Sequence, residues 1–314
     1  MWGMKLVLAP MQDVTDLAFM RTLHRIGSLP DTFITAYFRS TPTTCALAEA
    51  NLRCIHENET GVPIIAQLAG SDPQALLRDA RMLMQLKGVA GINLNAGCPS
   101  PLVNRHGAGA GLLRDLPRFS AIMQALRDNL PPGQFSVKSR IGWENASVEF
   151  PRILECISAA RPDEVGIHAR TRQQLYGGTP QYEHIRAASQ ALTCPVLANG
   201  DLTTPGQTAH VLAQTGATGV MLGRGAVRNP YLFRQLKGGA APTQEEMRHY
   251  YAVLIEETGR VFLHKRTEKG HCNRMKKYLA FCYPDFTPGQ EYQLRRCSSI
   301  AEMQKILEAP SVHP

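Results

Sequence analysis

Seven residues with chemically useful side chains fall at the downstream ends of apolar runs: Gln67, Asn95, Cys98, Lys138, Arg140, His168 and Asn199. Cys98 follows the run GVAGINLN and stands between Gly97 and Pro99, a stiff turn just past a strand end that suits a reactive thiol better than a packed one. Lys138 lies inside the run FSVKSRIG. An unpaired buried ammonium is costly there, so the lysine requires an anion or an electron-rich partner. Two further segments, ANGD at 198–201 and GRG at 223–225, offer a phosphate the backbone at Gly200 and Gly223 and the guanidinium of Arg224. A lysine, a mouth of amides and a phosphate turn fit flavin mononucleotide (FMN). The lysine stands near the pyrimidine end of the ring and favours its anionic reduced form, and Gln67 bonds the ring's polar edge.

Each residue also has a plain structural explanation. A lone histidine such as His168 is more often a satisfied core group than a ligand. A free cysteine is usually a small buried hydrophobe. Glycine after a strand is ordinary turn chemistry. What weakens these explanations is convergence of all the groups on one rim.

The elements that must produce that rim alternate. Eight strand candidates begin at residues 5 (KLVLAP), 32 (TFITAY), 62 (VPIIAQL), 88 (GVAGINLN), 135 (FSVKSR), 164 (EVGIHAR), 194 (CPVLANG) and 218 (TGVMLGR). Helical patterns lie between them, such as PQALLRDARMLMQLKG at 73 and LPRFSAIMQALRDNL at 116. Continuous apolar strands alternating with helices indicate a parallel sheet of the α/β class, and eight units indicate a (β/α)8 TIM barrel with its chemistry at the C-terminal strand ends. A doubly wound open sheet is the alternative, but no GxGxxG follows the first strand. The Gly/Ala/Pro stretch LKGGAAPTQ ends this pattern. The reading is a catalytic barrel over 1–236 and a small all-helical domain over 240–314. Its helices are TQEEMRHYYAVLIEETGRVF, NRMKKYLAFCY and IAEMQKILEA.

The chain has 314 residues, a formal charge of +8 and eight scattered cysteines without a CxxC pair. That cysteine pattern argues against a metal site or a disulfide framework and for a reducing, cytoplasmic setting. No apolar run is long enough to span a membrane, and the N-terminal stretch is too short for a signal peptide. A monomer is expected. The positive charge suggests a polyanionic partner. It concentrates in Arg260, Lys265, Arg266, Lys269, Arg274, Lys276 and Lys277, opposed within that stretch only by Glu268. A solvated helix face explains the cluster equally well.

Several segments together carry a family resemblance: LAPMQDVTD, AQLAG, NLNAGCPSP followed by NRHGAGAGLL, VKSRIGW, IHARTRQQLYGG, VLANGDL and VMLGRGAVRNPYLF. In this order they cover nearly the whole barrel and resemble the tRNA-dihydrouridine synthases, while RMKKYLAFCYP resembles that family's helical tail. The resemblance implies an FMN-binding TIM barrel that reduces the C5=C6 bond of a uridine in tRNA, with NADPH as reductant. It implies that Ala9, Pro10, Met11, Gln67, Lys138, His168, Asn199, Gly200, Asp201, Gly223 and Arg224 hold FMN. It implies that Cys98 gives the proton. Asn95, Arg140, Arg170 and Tyr176 then meet the nucleotide, and Arg274, Lys276 and Lys277 grip tRNA phosphates. The chemistry is coherent. C5=C6 is conjugated to the C4 carbonyl, so hydride addition at C6 leaves an enolate that takes a proton at C5. A thiol with pKa near ~8.5 is a competent acid at neutral pH.

The chain departs from the family pattern at four places. A basic residue is usual after the Cys-Pro pair, where Pro101 and Leu102 stand. An acid is usual at Asn93, and strand two usually ends Thr-Glu rather than Thr35-Ala36. Two other reactions are compatible with the residues: oxidoreduction of a small molecule by a dihydroorotate dehydrogenase-like barrel, and flavin-dependent RNA methylation. The helical tail and basic cluster count against the first.

Overall fold

The computed structural model describes residues 3–43, 47–262 and 267–309. Cys45, Lys265, Arg266 and the end of the expected helical unit, 310–314, lie outside the described residues. Among the described residues, nine parallel strands form one sheet: β1 (Lys5–Leu8), β2 (Thr32–Ile34), β3 (Phe38–Arg39), β4 (Ile64–Ala69), β5 (Val89–Ala96), β6 (Phe135–Arg140), β7 (Glu164–His168), β8 (Val196–Asn199) and β9 (Gly219–Leu222). β1 pairs with β9, and β2 pairs with both β1 and β4, which closes the sheet into a barrel. The closed pairing excludes the open doubly wound sheet. Every expected strand is present. The strand not foreseen is β3, two residues that resume pairing with β4 after the chain leaves β2.

The helices of the barrel are α1 (Leu17–Arg25), α2 (Glu49–His56), α3 (Pro73–Met84), α4 (Pro101–Asn104), α5 (Leu116–Asn129), α6 (Ala146–Ala160), α7 (Tyr182–Ala191), α8 (Pro205–Thr215), α9 (Arg224–Arg228) and α10 (Leu232–Leu236). Beyond them come α11 (Gln244–Phe262), α12 (Glu268–Leu279), α13 (Pro288–Arg296) and α14 (Ile300–Glu308). The sequence reading missed α13, which opens Pro-Gly and buries only Leu294. Three helices share one start, a capping residue followed by proline: Asp72–Pro73, Thr204–Pro205 and Thr287–Pro288. The cap oxygen accepts the N–H of Ala75, Gln207 or Gln290, and proline at the first helical position has no N–H left to satisfy.

The barrel interior has two levels. Its floor is apolar, a cluster of Val7, Ala9, Ile34, Leu197 and Met221 with Ile65 packed against it. Polar residues stand above it, at the C-terminal strand ends. The main apolar core lies between sheet and helices and runs on into the C-terminal helices through Tyr250, Leu254, Met275 and Tyr278.

The C-terminal helices are fastened to the barrel by α1 and the loop before it. Arg25 pairs with Glu256 and Glu257 of α11. Asp16 caps α1 at the N–H of Phe19 (3.1 Å). Its carboxylate also accepts the Tyr278 hydroxyl (2.9 and 2.8 Å) and the guanidinium of Arg274, which is 4% exposed. Lys277 pairs with Asp13 at 2.8 Å.

Candidate active site

A cleft of about 1030 Å³ opens at the C-terminal ends of the strands. All eleven residues assigned to FMN line it: Ala9, Pro10, Met11, Gln67, Lys138, His168, Asn199, Gly200, Asp201, Gly223 and Arg224. Asn95, Cys98, Arg140 and Tyr176 line it as well.

Side-chain amides form one wall, and strand register explains their order. Gln67, Asn93 and Ser136 are cross-strand partners on β4, β5 and β6. Gln67 donates to the Oδ1 of Asn93 at 2.8 Å, and Asn93 donates to the hydroxyl of Ser136 at 2.8 Å. Asn95 in turn donates to the Oε1 of Gln67 at 2.8 Å. The network is neutral. It places an amide at the position where a carboxylate is usual.

Asn95 also shapes the cysteine turn. Its Oδ1 accepts the N–H groups of Gly97 (3.1 Å) and Cys98 (2.9 Å). The Cys98 carbonyl accepts from the Nδ2 of Asn104 (2.8 Å) and the N–H of Ala110 (3.1 Å). Gly109, at φ 61°, passes so close that a Cβ there would lie 2.9 Å from the Cys98 carbonyl oxygen and 3.1 Å from its Cβ. The thiol itself is half-buried in the cleft wall. Burial pushes it up from the usual thiol range, against the pull of the Ser100 backbone, Arg140 and Lys138. It is a protonated thiol at neutral pH. Tyr37, also in the wall, is raised by burial and by the neighbouring Cys98.

Lys138 reaches into the cleft from β6 and donates to the Oδ1 of Asn199 at 3.1 Å. Asn199 is fixed by its own donation to the Met221 carbonyl (2.6 Å). Burial, then the charge of Arg140, lowers the ammonium to about 7. His168 is held well below its usual value by burial and by the surrounding Arg140, Lys138, Arg170 and Arg224, so its ring is neutral. Asp201 accepts from both Arg170 and Arg224.

The arginines divide by role. Arg140 is 1% exposed and donates to the carbonyls of Gly97, Thr171 and Leu175, each at 2.8 Å. Through Nε and Nη1 it ties the cysteine turn to the loop after β7. Arg170, also 1% exposed, does not line the cleft; the carbonyls of Gly177 and Gly178 and the carboxylate of Asp201 occupy it. In this structure it anchors the loop after β7. Tyr176 is exposed at the rim, within cation–π distance of Arg140 and Arg224.

The basic tail residues have partners within the protein. Arg274 is buried in ion pairs with Asp16 and Asp13 and joins the tail to the barrel. Lys276 donates to the Cys297 carbonyl at 2.8 Å, Lys277 pairs with Asp13, and Arg260 pairs with Glu256 and Glu257. Sequence reasoning missed the cleft residues Gln12, Leu175, Arg228, Ala280 and Phe281. Ala280 and Phe281 belong to the tail, and only folding brings them there. Of the four departures, Ala36, Pro101 and Leu102 line the cleft, Leu102 as an exposed apolar side chain.

The cleft fits FMN on its own terms. Its volume is that of a cofactor site. Among the described residues no carboxylate neutralises Lys138, which leaves a part-buried cation for an electron-rich ring. Among the described residues no cluster of His, Cys, Asp and Glu suits a metal, and no helix is long and apolar enough to cross a membrane.

A family model described as dihydrouridine synthase (Dus) matches residues 7–311. The tRNA-dihydrouridine synthase B of Vibrio vulnificus is 33% identical over 232 residues, covering 74% of this chain and 70% of that protein. The protein of the same name from Pseudomonas aeruginosa is 31% identical over 272 residues, covering 85% and 80%. Among solved structures, an old yellow enzyme homologue from Zymomonas mobilis superposes with a TM-score of 0.54 at 13% identity, covering 76% of this chain and 90% of that one. At that identity it speaks for the barrel fold alone.

Proposed function

The chain belongs to the dihydrouridine synthase family, and on that premise we propose that it reduces the C5=C6 bond of a uridine in tRNA. One observation carries the reading: a single cleft holds the Cys98 thiol and Lys138, a buried lysine that no carboxylate pairs with among the described residues. FMN held there would supply the hydride, with NADPH as the source of electrons. Lys138 places positive charge where the reduced ring carries negative charge, with Asn199 fixing the ammonium. Ala9, Pro10 and Met11 would wall the ring, Gln67 and the neutral His168 would meet its polar edge, and Gly200, Gly223 and Arg224 would hold the phosphate, with Arg224 oriented by Asp201. The target base leaves the RNA stack to enter the cleft, past Tyr176 and Asn95. After hydride reaches C6, Cys98 gives its proton to C5. The barrel, 1–236, does the chemistry, and the helical part, 240–314, completes the cleft wall with Ala280 and Phe281.

The test is incubation of the purified protein with FMN, NADPH and an unmodified tRNA transcript, followed by nucleoside mass spectrometry. Dihydrouridine at a defined position is expected. A methylated uridine, or untouched tRNA alongside turnover of a small dihydroorotate-like substrate, would replace this reading with one of the two alternatives.

A further inference from the structure

We propose that the barrel rim beside Cys98 is a phosphate-gripping surface for the RNA strand that delivers the target nucleotide, built on Trp143 with Arg105, Arg114 and Arg172. The proposal rests on tRNA as the substrate.

The guanidinium carbons of Arg114 and Arg172 lie 5.0 and 4.7 Å from the centre of the Trp143 ring. Three loops meet there. Arg172 donates its backbone N–H to Gly142 (2.9 Å), and Gln173 donates to Trp143 (3.0 Å), which laces the loop after β7 to the loop after β6. Arg172 Nε also donates to the Oδ1 of Asn104 at 3.1 Å, and Asn104 donates to the Cys98 carbonyl. The stack is thus two hydrogen bonds from the backbone of the thiol residue. Arg105 follows Asn104 directly and is exposed, its Nε on the ring of His106 at 3.0 Å.

Charge separates this surface from the tail. Among the described residues, no carboxylate pairs with Arg105, Arg114 or Arg172. The nearby acids have other partners: Glu144 accepts from the Trp143 indole N–H at 3.0 Å, and Asp115 pairs with Arg118 at 3.3 Å. Stacking on an indole holds a guanidinium's planar fork in place, so less side-chain freedom is lost when it meets a phosphate. An RNA backbone is the polyanion that fits a set of fixed, unneutralised forks beside a cleft that must receive an extruded base.

The experiment compares two charge-matched double variants, Arg105→Gln/Arg114→Gln and Lys276→Gln/Lys277→Gln. Binding of a fluorescent unmodified tRNA transcript is measured across a salt series, and dihydrouridine formation is followed in parallel. The rim variant should weaken binding about tenfold or more at low salt. It should also reduce the log–log salt slope by about 0.7–0.9 for each phosphate no longer gripped. NADPH-dependent reduction of the bound flavin should be unchanged, and the tail variant should keep the wild-type slope. A wild-type protein that binds tRNA through the rim but forms no dihydrouridine would sink the proposed reaction and leave the surface standing. A rim variant with the wild-type slope, or a tail variant with the same weakening, would overturn the surface while dihydrouridine formation stands.

Discussion

Lys138 and Arg274 are both cations drawn in from solvent, yet their surroundings differ. Arg274 sits between the barrel and the tail with the carboxylates of Asp13 and Asp16 and the rings of Phe262 and Tyr278 around it. Lys138 sits in the cleft wall with one amide oxygen. The first is a completed structural junction. The second has no carboxylate beside it among the described residues, and burial and the charge of Arg140 lower its ammonium to about 7. Sequence alone marks Lys138 as a cation in need of a partner and leaves the tail cluster open between a phosphate grip and a solvated face.

The largest effects should fall on opposite observables in the two regions. Cys98→Ala should cost about 10²–10⁴-fold in uridine reduction, since it removes a general acid, with the unfolding midpoint nearly unchanged. Arg274→Met should cost about 3 kcal/mol in urea unfolding, because it leaves the part-buried Asp16 without its cation. A thermally ordinary Arg274→Met protein would erase the contrast.

A smaller effect sharpens it. An unfolded lysine binds a proton up to about pH 10.4, whereas the folded ligand-free protein releases it from Lys138 near 7. The destabilisation from this group is therefore full below pH 7 and vanishes as pH approaches the unfolded value. Ligand-free Lys138→Met should exceed the wild type by roughly 1–3 kcal/mol at pH 7, the value of ~1.4 kcal/mol per pH unit being discounted for a part-exposed group. The advantage should shrink steadily toward pH 10. In flavin-loaded protein the same change should lower the two-electron potential by several tens of mV, at about 30 mV per 1.4 kcal/mol. A stability difference that is flat with pH would mean that Lys138 is not the unmatched cation.

The smallest effect is the control. Lys277→Gln removes a pair with Asp13 in which both side chains are about half exposed, 45% and 51%. It should change stability by only about 0–1 kcal/mol. A loss as large as that of Arg274→Met would show that Asp13, and not burial, makes the junction strong.

The strands were legible because each is a continuous apolar run ending in polar residues, and the cleft followed from those ends. Phe38–Arg39 escaped because two residues carry no periodicity, and α13 because it buries a single leucine. The functional charge was not legible. Asp16 and Arg274 are 258 positions apart, so no local count of charges shows one cancelling the other. Arg105, Arg114 and Arg172 are scattered singly, and only the folded loops collect the last two on Trp143. Asn95 was legible as a strand end, but its acceptance of two turn N–H groups was not.

The Asp16 junction also bears on biosynthesis. The loop from Ala9 to Gln12 forms one side of the cleft and leads into Asp16, whose partners Arg274 and Tyr278 follow it by 258 and 262 positions. The barrel seam has the same lag, since Leu8 waits for Leu222. Pairings of such long separation form slowly, while the N-terminal part of a chain is made first. Cys98 is therefore made long before Ala280 and Phe281, which complete the wall of its cleft.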